Sequence, residues 1–329
     1  MLQNRRIHEG SLNRFRYNPR AMKSLCALGV FVVLLFQSQT LPPLRVSGNT
    51  TTIELSPVLV ASNGIYPGPI SVTNGGIPNI MDGSADVATN AETQLLRQSV
   101  DDPDLRVIFT VAESFYRIVA RKSAGIAKIA DLKGKRITTP RNTSAEYFLV
   151  RMLATANLTE DDVAIVPITP VTEMSVALRD GRVDAIAMWE PEAERAIAAV
   201  GDDAIVLQDR NVYRELFNLN TSTKVLADPA KRRAVVEFVR ALITSADQLR
   251  SRPQDFWAYI STKLNYPQEL VSKSWPELRY AGAMVSDLLD VMEREEVWVA
   301  RERNRTPRTR TQLATLIDAS VLKEALARR

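Results

Sequence analysis

Cysteine and histidine are almost missing from this chain. Among 329 residues there is one of each, Cys26 and His8, and both stand before residue 46. A single cysteine excludes an intrachain disulfide. Without either residue type beyond position 26, the rest of the chain has no cysteine nucleophile, no Ser-His-Asp triad and no zinc site built on His or Cys. No metal and no cofactor is called for. Excess positive charge is missing too, despite a formal net charge of +4. Before Val46 the basic residues Arg5, Arg6, Arg14, Arg16, Arg20, Lys23 and Arg45 face one acid, Glu9. Removing those seven from 42 and that one from 38 leaves 35 basic against 37 acidic side chains, a balance of −2. Nucleic-acid binding therefore has no electrostatic support from the body of the protein. Internal repeats and low-complexity segments are absent.

Long apolar runs are scarce as well. Met22 to Thr40 reads MKSLCALGVFVVLLFQSQT, with a lysine ahead of the apolar stretch and polar residues after it. At about a dozen residues the stretch is short for a span of ~20, and its layout is that of a secretory signal. Residues 1–45 are expected to be a leader, with Met22 a second candidate start. The alternative is an uncleaved membrane anchor, since no small-x-small cleavage site follows the run. Cys26 stands at the front of the apolar run, badly placed for a lipidated terminus.

The remaining length suits two lobes. Thr52–Ser62 reads as a strand, Ile70–Thr73 as a short strand, Ile77–Gly83 as a short helix and Asp86–Thr89 as a buried strand. Glu92–Val100 reads as helix, then Leu105–Val111, Tyr116–Arg121 and Arg136–Thr139 as strands. Ser144–Ala156 has Phe148 and Met152, and Leu149 and Leu153, at i,i+4 spacing, which predicts a helix. Strand Asp161–Ile168, helix Val171–Arg179, strand Val183–Met188, helix Pro191–Val200 and strand Ala204–Leu207 follow. From Asp228 the pattern is nearly all helical, over Pro229–Ser251, Pro253–Leu264, Pro267–Trp275, Ala281–Glu296 and Thr311–Ala327. The basic run Arg301–Arg310 reads as a solvated loop. This order predicts an α/β protein of two lobes, 46–118 with 222–329, and 119–221. The chain is expected to cross between them near Tyr116–Arg121 and again near Phe217–Lys224, a hinge suited to closing on a ligand.

Small molecules bind at the carboxyl ends of strands in open α/β sheets, beside helix N-termini. Asn142, Thr143 and Ser144 precede a helix, where Thr143 or Ser144 either only caps it or also helps free N–H groups hold an anion. Trp189 follows a strand, either walling the cleft or packing between lobes. Glu190 after it either accepts a ligand amine or pairs with a neighbour. Asn74, Gly75 and Gly76 either bring backbone close to a ligand or form a plain turn. Thr89, Asn90 and Glu92 follow the Asp86–Thr89 strand and face the cleft if the fold is as read. Carboxylates at Glu92 and Glu190 would favour a ligand with a cationic group, such as an amino-sulfonate.

DLKGKRITTPRNTSAEYFLVRML (131–153) and ALRDGRVDAIAMWEP (177–191) resemble segments of ABC-transporter substrate-binding proteins for nitrate, sulfonates and taurine. MDGSADVATNAE upstream and LADPAKRRAVVEFVRALITSADQLRSRPQDFWAYI downstream are similar to two more of that family's segments. The likeness runs from about residue 80 to about residue 320 and is strongest over 131–195. After Ser62 the chain lacks a helix usual in the family, and its basic, proline-interrupted C-terminal run is unusual there. The resemblance implies a two-lobe type II periplasmic-binding-protein fold with two hinge-crossing strands. It also implies an extracytoplasmic, periplasmic protein without enzymatic activity. Such a protein, a monomer, captures a small anionic or zwitterionic solute (sulfonate, taurine or nitrate-like) and delivers it to an ABC permease and its ATPase. Membrane contact would come only through the permease or an uncleaved leader. The alternatives are an enzyme of lyase or dehydratase type, or a ligand sensor, on the same fold. A thiamine-pyrimidine synthase similar to these proteins relies on an internal histidine and a cysteine-rich stretch, and neither is present here.

Overall fold

Arg117–Arg121 (RIVAR) and Ala185–Met188 (AIAM) are buried at nearly every position. Strands of that kind need cover on both faces, as sheets with parallel ladders do. The computed structural model describes residues 40–327. It contains two such sheets, with helices packed on their faces.

The first sheet begins with β1 (Leu44–Gly48), β2 (Ile70–Asn74) and β3 (Val87–Ala91), where β1 pairs in parallel with both others. Between them lie α1 (Ser56–Ser62) and α2 (Pro78–Met81), and α3 (Glu92–Gln98) follows. The chain then forms β4 (Leu105–Ser114) and passes to the second sheet as β5 (Arg117–Arg121). The second sheet adds β6 (Arg136–Thr138), α4 (Ser144–Ala154), β7 (Ala164–Ile165), α5 (Glu173–Arg179), β8 (Ala185–Met188), α6 (Glu192–Val200) and β9 (Ala204–Leu207). Its order is β7-β6-β8-β5-β9. The chain returns as β10 (Glu215–Ser222), antiparallel to both β3 and β4. Helices α7 (Thr223–Ala227), α8 (Pro229–Ser251), α9 (Gln254–Leu264) and α10 (Gln268–Ser274) follow, then the short edge strand β11 (Leu278–Arg279). The described chain closes with α11 (Leu288–Glu302), α12 (Arg310–Ala314) and α13 (Ser320–Leu326). The first sheet is ordered β11-β4-β10-β3-β1-β2.

Helix α8 lays Val235, Phe238, Val239 and Leu242 into a core shared with β1 and α1. Each such side chain removed from water contributes ~1.5–3 kcal/mol. Two segments link the sheets, 115–116 outward and 208–214 back. Their aromatic rings meet: Tyr116 and Tyr213 have centroids 5.4 Å apart, and Phe148 of α4 packs edge-on against Tyr116 at 5.9 Å.

Several expectations are corrected. Thr52–Ser62 is a 3-10 turn (Ile53–Leu55) leading into α1, not a strand. Pro57 lies in the first helical turn, where its fixed φ suits a helix and its missing N–H costs nothing. Phe217–Lys224 does not cross between lobes, because the buried strand β10 is bonded on both edges within the first sheet. The strand expected over Asp161–Ile168 shrinks to two residues. Asp162 instead accepts the Thr159 N–H at 3.0 Å in a capping box. Helix does not begin at Ala281, since Gly282 adopts φ +67 and the helix starts at Leu288. Thr311–Ala327 splits into α12 and α13, interrupted where Ile317 bridges to Val107. The basic run near the C-terminus is not simply solvated. Arg305 and Arg308 both grip Glu296, which is buried, with Arg308 Nη2 2.9 Å from Glu296 Oε2. Of the expected leader, residues 1–39, with His8 and Cys26, lie outside the described residues. Its last two, Leu44 and Arg45, belong instead to β1, where Arg45 Nη2 pairs with Asp86 at 2.8 Å. Among the described residues no helix is long and apolar enough to cross a membrane.

Candidate ligand site

Strands from both sheets end at one cavity of ≈380 Å³. Asn49 follows β1, Asn90 and Ala91 end β3, Arg141 to Ser144 follow β6, and Trp189 follows β8. Tyr116 from the outward link and Glu215 and Phe217 from the start of β10 complete that end, with Thr52, Glu54 and Gln94. This is the carboxyl edge of four parallel-type strands, where side chains and helix N-termini converge without spoiling the ladders.

The second-lobe wall is set by the start of α4. Thr143 caps it, accepting the Ala145 N–H at 3.2 Å and donating its own hydroxyl to the Pro140 carbonyl at 2.7 Å. Asn142 takes φ +61, and its N–H is given to the Glu146 carboxylate, which also pairs with Arg141 at 2.7 Å. Ser144 Oγ shares a 2.9 Å hydrogen bond with Tyr116 Oη. The helix N-terminus thus already holds a carboxylate of its own chain.

The two lobes are joined across the cavity by direct bonds. Gln94 Nε2 donates to the Asn142 carbonyl at 2.9 Å, and Thr52 Oγ1 donates to the Glu190 carbonyl at 3.3 Å. On the first-lobe side Asn90 Oδ1 accepts the Ile77 N–H at 2.7 Å. Gly76 leaves the room for that side chain, since a Cβ there would stand 2.3 Å from Asn90 Oδ1.

Of the residues expected from the sequence, Asn90, Asn142, Thr143, Ser144 and Trp189 line this cavity. The Trp189 ring is 6.1 Å from that of Tyr116. The others do not line it. Asn74 accepts the Thr50 N–H and hydroxyl, both at 3.1 Å, and so shapes the loop after β1. Gly75 has φ +152 and packs against Asn79 and Ser47. Thr89 is fully buried behind Gly48. Glu92 turns back from the first residue of α3, accepting the Leu216 N–H at 2.8 Å and the Tyr213 hydroxyl at 3.0 Å. Burial pushes its carboxyl up. Glu190 is fully buried and pairs with Arg117, Nη2 to Oε1 at 2.6 Å. Burial still raises it to about 7, against the lowering pull of that arginine.

The acids that do face the cavity are Glu54 and Glu215, which sequence reasoning missed. Both are buried, and burial pushes Glu54 up to about 8 and Glu215 well above the carboxylate range. The only signal for Glu54 was a lone acid within the apolar run TIELSPVLV.

Comparison with known proteins places these features. The family model described as NMT1/THI5 like matches residues 71–256, more than half of the chain. A protein of Escherichia coli (strain K12) to which aliphatic-sulfonate binding is ascribed is 26% identical over 156 residues. That match spans 47% of each chain, less than half of the relative. The alkanesulfonate-binding protein SsuA of Xanthomonas axonopodis pv. citri, solved bound to MOPS, superposes with TM-score 0.68. It is 19% identical, over 85% of this chain and 99% of that one. The desulfurization enzyme DSZB superposes with TM-score 0.64 at 17% identity, over 87% of this chain and 99% of that one. The fold is that of the periplasmic binding proteins.

Proposed function

The chain belongs to the NMT1/THI5-like family, and on that premise we propose that it is an extracytoplasmic solute-binding protein serving an ABC permease. One observation carries the reading: strands of two separate sheets end at a single cavity of ligand size, ≈380 Å³. The closing bodies are the first sheet with its helices, built from β1–β4 and again from β10 onward, and the second sheet from β5 to β9, so the expected boundaries near 118 and 221 move to the links at 115–116 and 208–214. A ligand touching both walls favours the closed arrangement by its differential affinity, and a membrane partner reads that arrangement. The Gln94–Asn142 and Thr52–Glu190 bonds are contacts that opening would break.

The solute is small and carries a sulfonate or similar anionic group, alone or as part of a zwitterion. The names of the relatives support this class. Arg141 is the cationic side chain among those that line the cavity. The reading is of capture without turnover. The chain's single cysteine and single histidine both precede the residues that line the cavity.

A thermal-shift screen against alkanesulfonates, taurine, nitrate, amino acids and pyrimidines tests this, with mass spectrometry of each ligand after incubation. A ligand that binds only the folded form raises the melting temperature by mass action. Stabilisation by a solute recovered unchanged supports the reading. Consumption of a solute would replace it with an enzyme.

A further inference from the structure

The cavity holds more acid than its walls neutralise. Glu54 and Glu215 line it, and the two residues are 1% and 3% exposed. Both Glu54 oxygens and Glu215 Oε2 lack a hydrogen-bond partner in the protein. Nearby cations are committed elsewhere: Arg117 to Glu190 and Glu194, Arg141 to Glu146 and Glu160. Buried polar groups are nearly always paired, so orphaned carboxyls opening on one cavity mark where a ligand supplies donors. Tyr116, Trp189 and Phe217 line the same cavity, and aromatic faces attract cations.

We propose that this cavity recognises the cationic, N–H-bearing end of its ligand, a protonated amine or amidinium, through Glu54 and Glu215, and that binding expels a proton from that pair. The proposal rests on the solute-binding reading and narrows it. Without the ligand, burial holds both carboxyls towards their neutral, protonated forms. The ligand enters with its nitrogen already charged. One carboxylic O–H ionises, its proton leaves to water, and the carboxylate formed accepts the ligand's N–H groups.

The surroundings of the pair favour this exchange. Around Glu54, burial dominates and Glu190 adds like charge. The Ser114 hydroxyl offsets part of the rise without reaching hydrogen-bond geometry. Tyr116, Tyr266 and Tyr280 are the other titratable groups that feel Glu54. Around Glu215, burial again leads, then Glu54 and Glu92, with Tyr116 opposing them. Glu295 and Tyr213 also feel Glu215. No arginine or lysine bonds to either carboxylate among the described residues.

Calorimetry with three probes on one skeleton tests the proposal: taurine, ethanesulfonate and ethylammonium. Each is titrated at pH 6, 7 and 8 in two buffers of different ionisation enthalpy. Taurine and ethylammonium are expected to bind, to release about one proton, and to bind about tenfold more tightly per pH unit up to pH 8. Glu54→Gln and Glu215→Gln are each expected to weaken them at least about tenfold while leaving the melting temperature undiminished, which separates lost recognition from lost folding. Ethanesulfonate binding as tightly as taurine, with no proton released, would overturn the proposal and leave solute binding intact. Silence from taurine and ethylammonium while ethanesulfonate stabilises the protein would do the same. Silence from every solute would remove both.

Discussion

Glu54 sits fully buried with no counter-charge, so keeping it in place has a cost that depends on pH. Its carboxyl is raised from an ordinary 4.5 to about 8, chiefly by burial. Between those values the folded protein holds a proton that the unfolded chain has released. Stability is therefore full below pH 4.5 and falls as pH rises towards 8. Each pH unit is worth ~1.4 kcal/mol, so at pH 7, about 2.5 units above the unfolded value, the cost is roughly 3 kcal/mol. Above pH 8 it levels near ~5 kcal/mol. Glu54→Gln keeps the shape and removes the charge. Urea denaturation of both proteins at pH 5, 6, 7 and 8 reads the difference. The variant should gain little at pH 5 and about 3 kcal/mol at pH 7, the gap widening by ~1.4 kcal/mol per unit. A gap that does not widen, or a variant less stable at pH 7, would refute the reasoning. A residue that destabilises the fold at neutral pH is the kind retained for function.

Three further outcomes follow from the geometry. Arg117→Met leaves Glu190 buried without its partner and should lower stability by about 3–5 kcal/mol at pH 7 in urea denaturation. Glu296→Gln removes the acid gripped by Arg305 and Arg308, whose charges hold its carboxyl below the ordinary value despite its burial. Its contribution is present above the unfolded value of 4.5 and fades as pH falls through the lowered one. Thermal melts should thus show a loss of about 3 kcal/mol at pH 7 that shrinks towards pH 3. Gln94→Ala removes the 2.9 Å bond across the cavity mouth. It should weaken the solute about fivefold, roughly 1 kcal/mol, and enlarge the unliganded particle in small-angle scattering.

The second lobe was more legible than the first. From 131 to 197 the alternation of short apolar runs with i,i+4 helical pairs marks β6, α4, β8 and α6, and Trp189 falls after a strand as its position suggests. In the first lobe the apolar run around Glu54 is buried all round, and such a run does not distinguish strand from helix. Pro57 was the local clue to the helix. The site acids were misplaced for a related reason. Glu92 opens α3, where a helix side chain leans back towards the N-terminus, and Glu190 stands in the turn before α6; each finds partners behind the cavity wall. Glu54 and Glu215 reach the cavity only because β4, β10 and the Ile53–Leu55 turn pack together, a pairing fixed by tertiary structure. Likewise Arg305 and Arg308 read as solvated charge until α11 places Glu296 between them.

A crystal structure with the solute that most strongly stabilises the protein tests the central claim most directly. The account predicts that solute between Trp189, Asn90 and Glu215, touching both lobes at the strand ends. Density instead in the ≈320 Å³ cavity around Arg210 and Arg214, or in the groove by Arg195 and Tyr266, with this one empty, would contradict it.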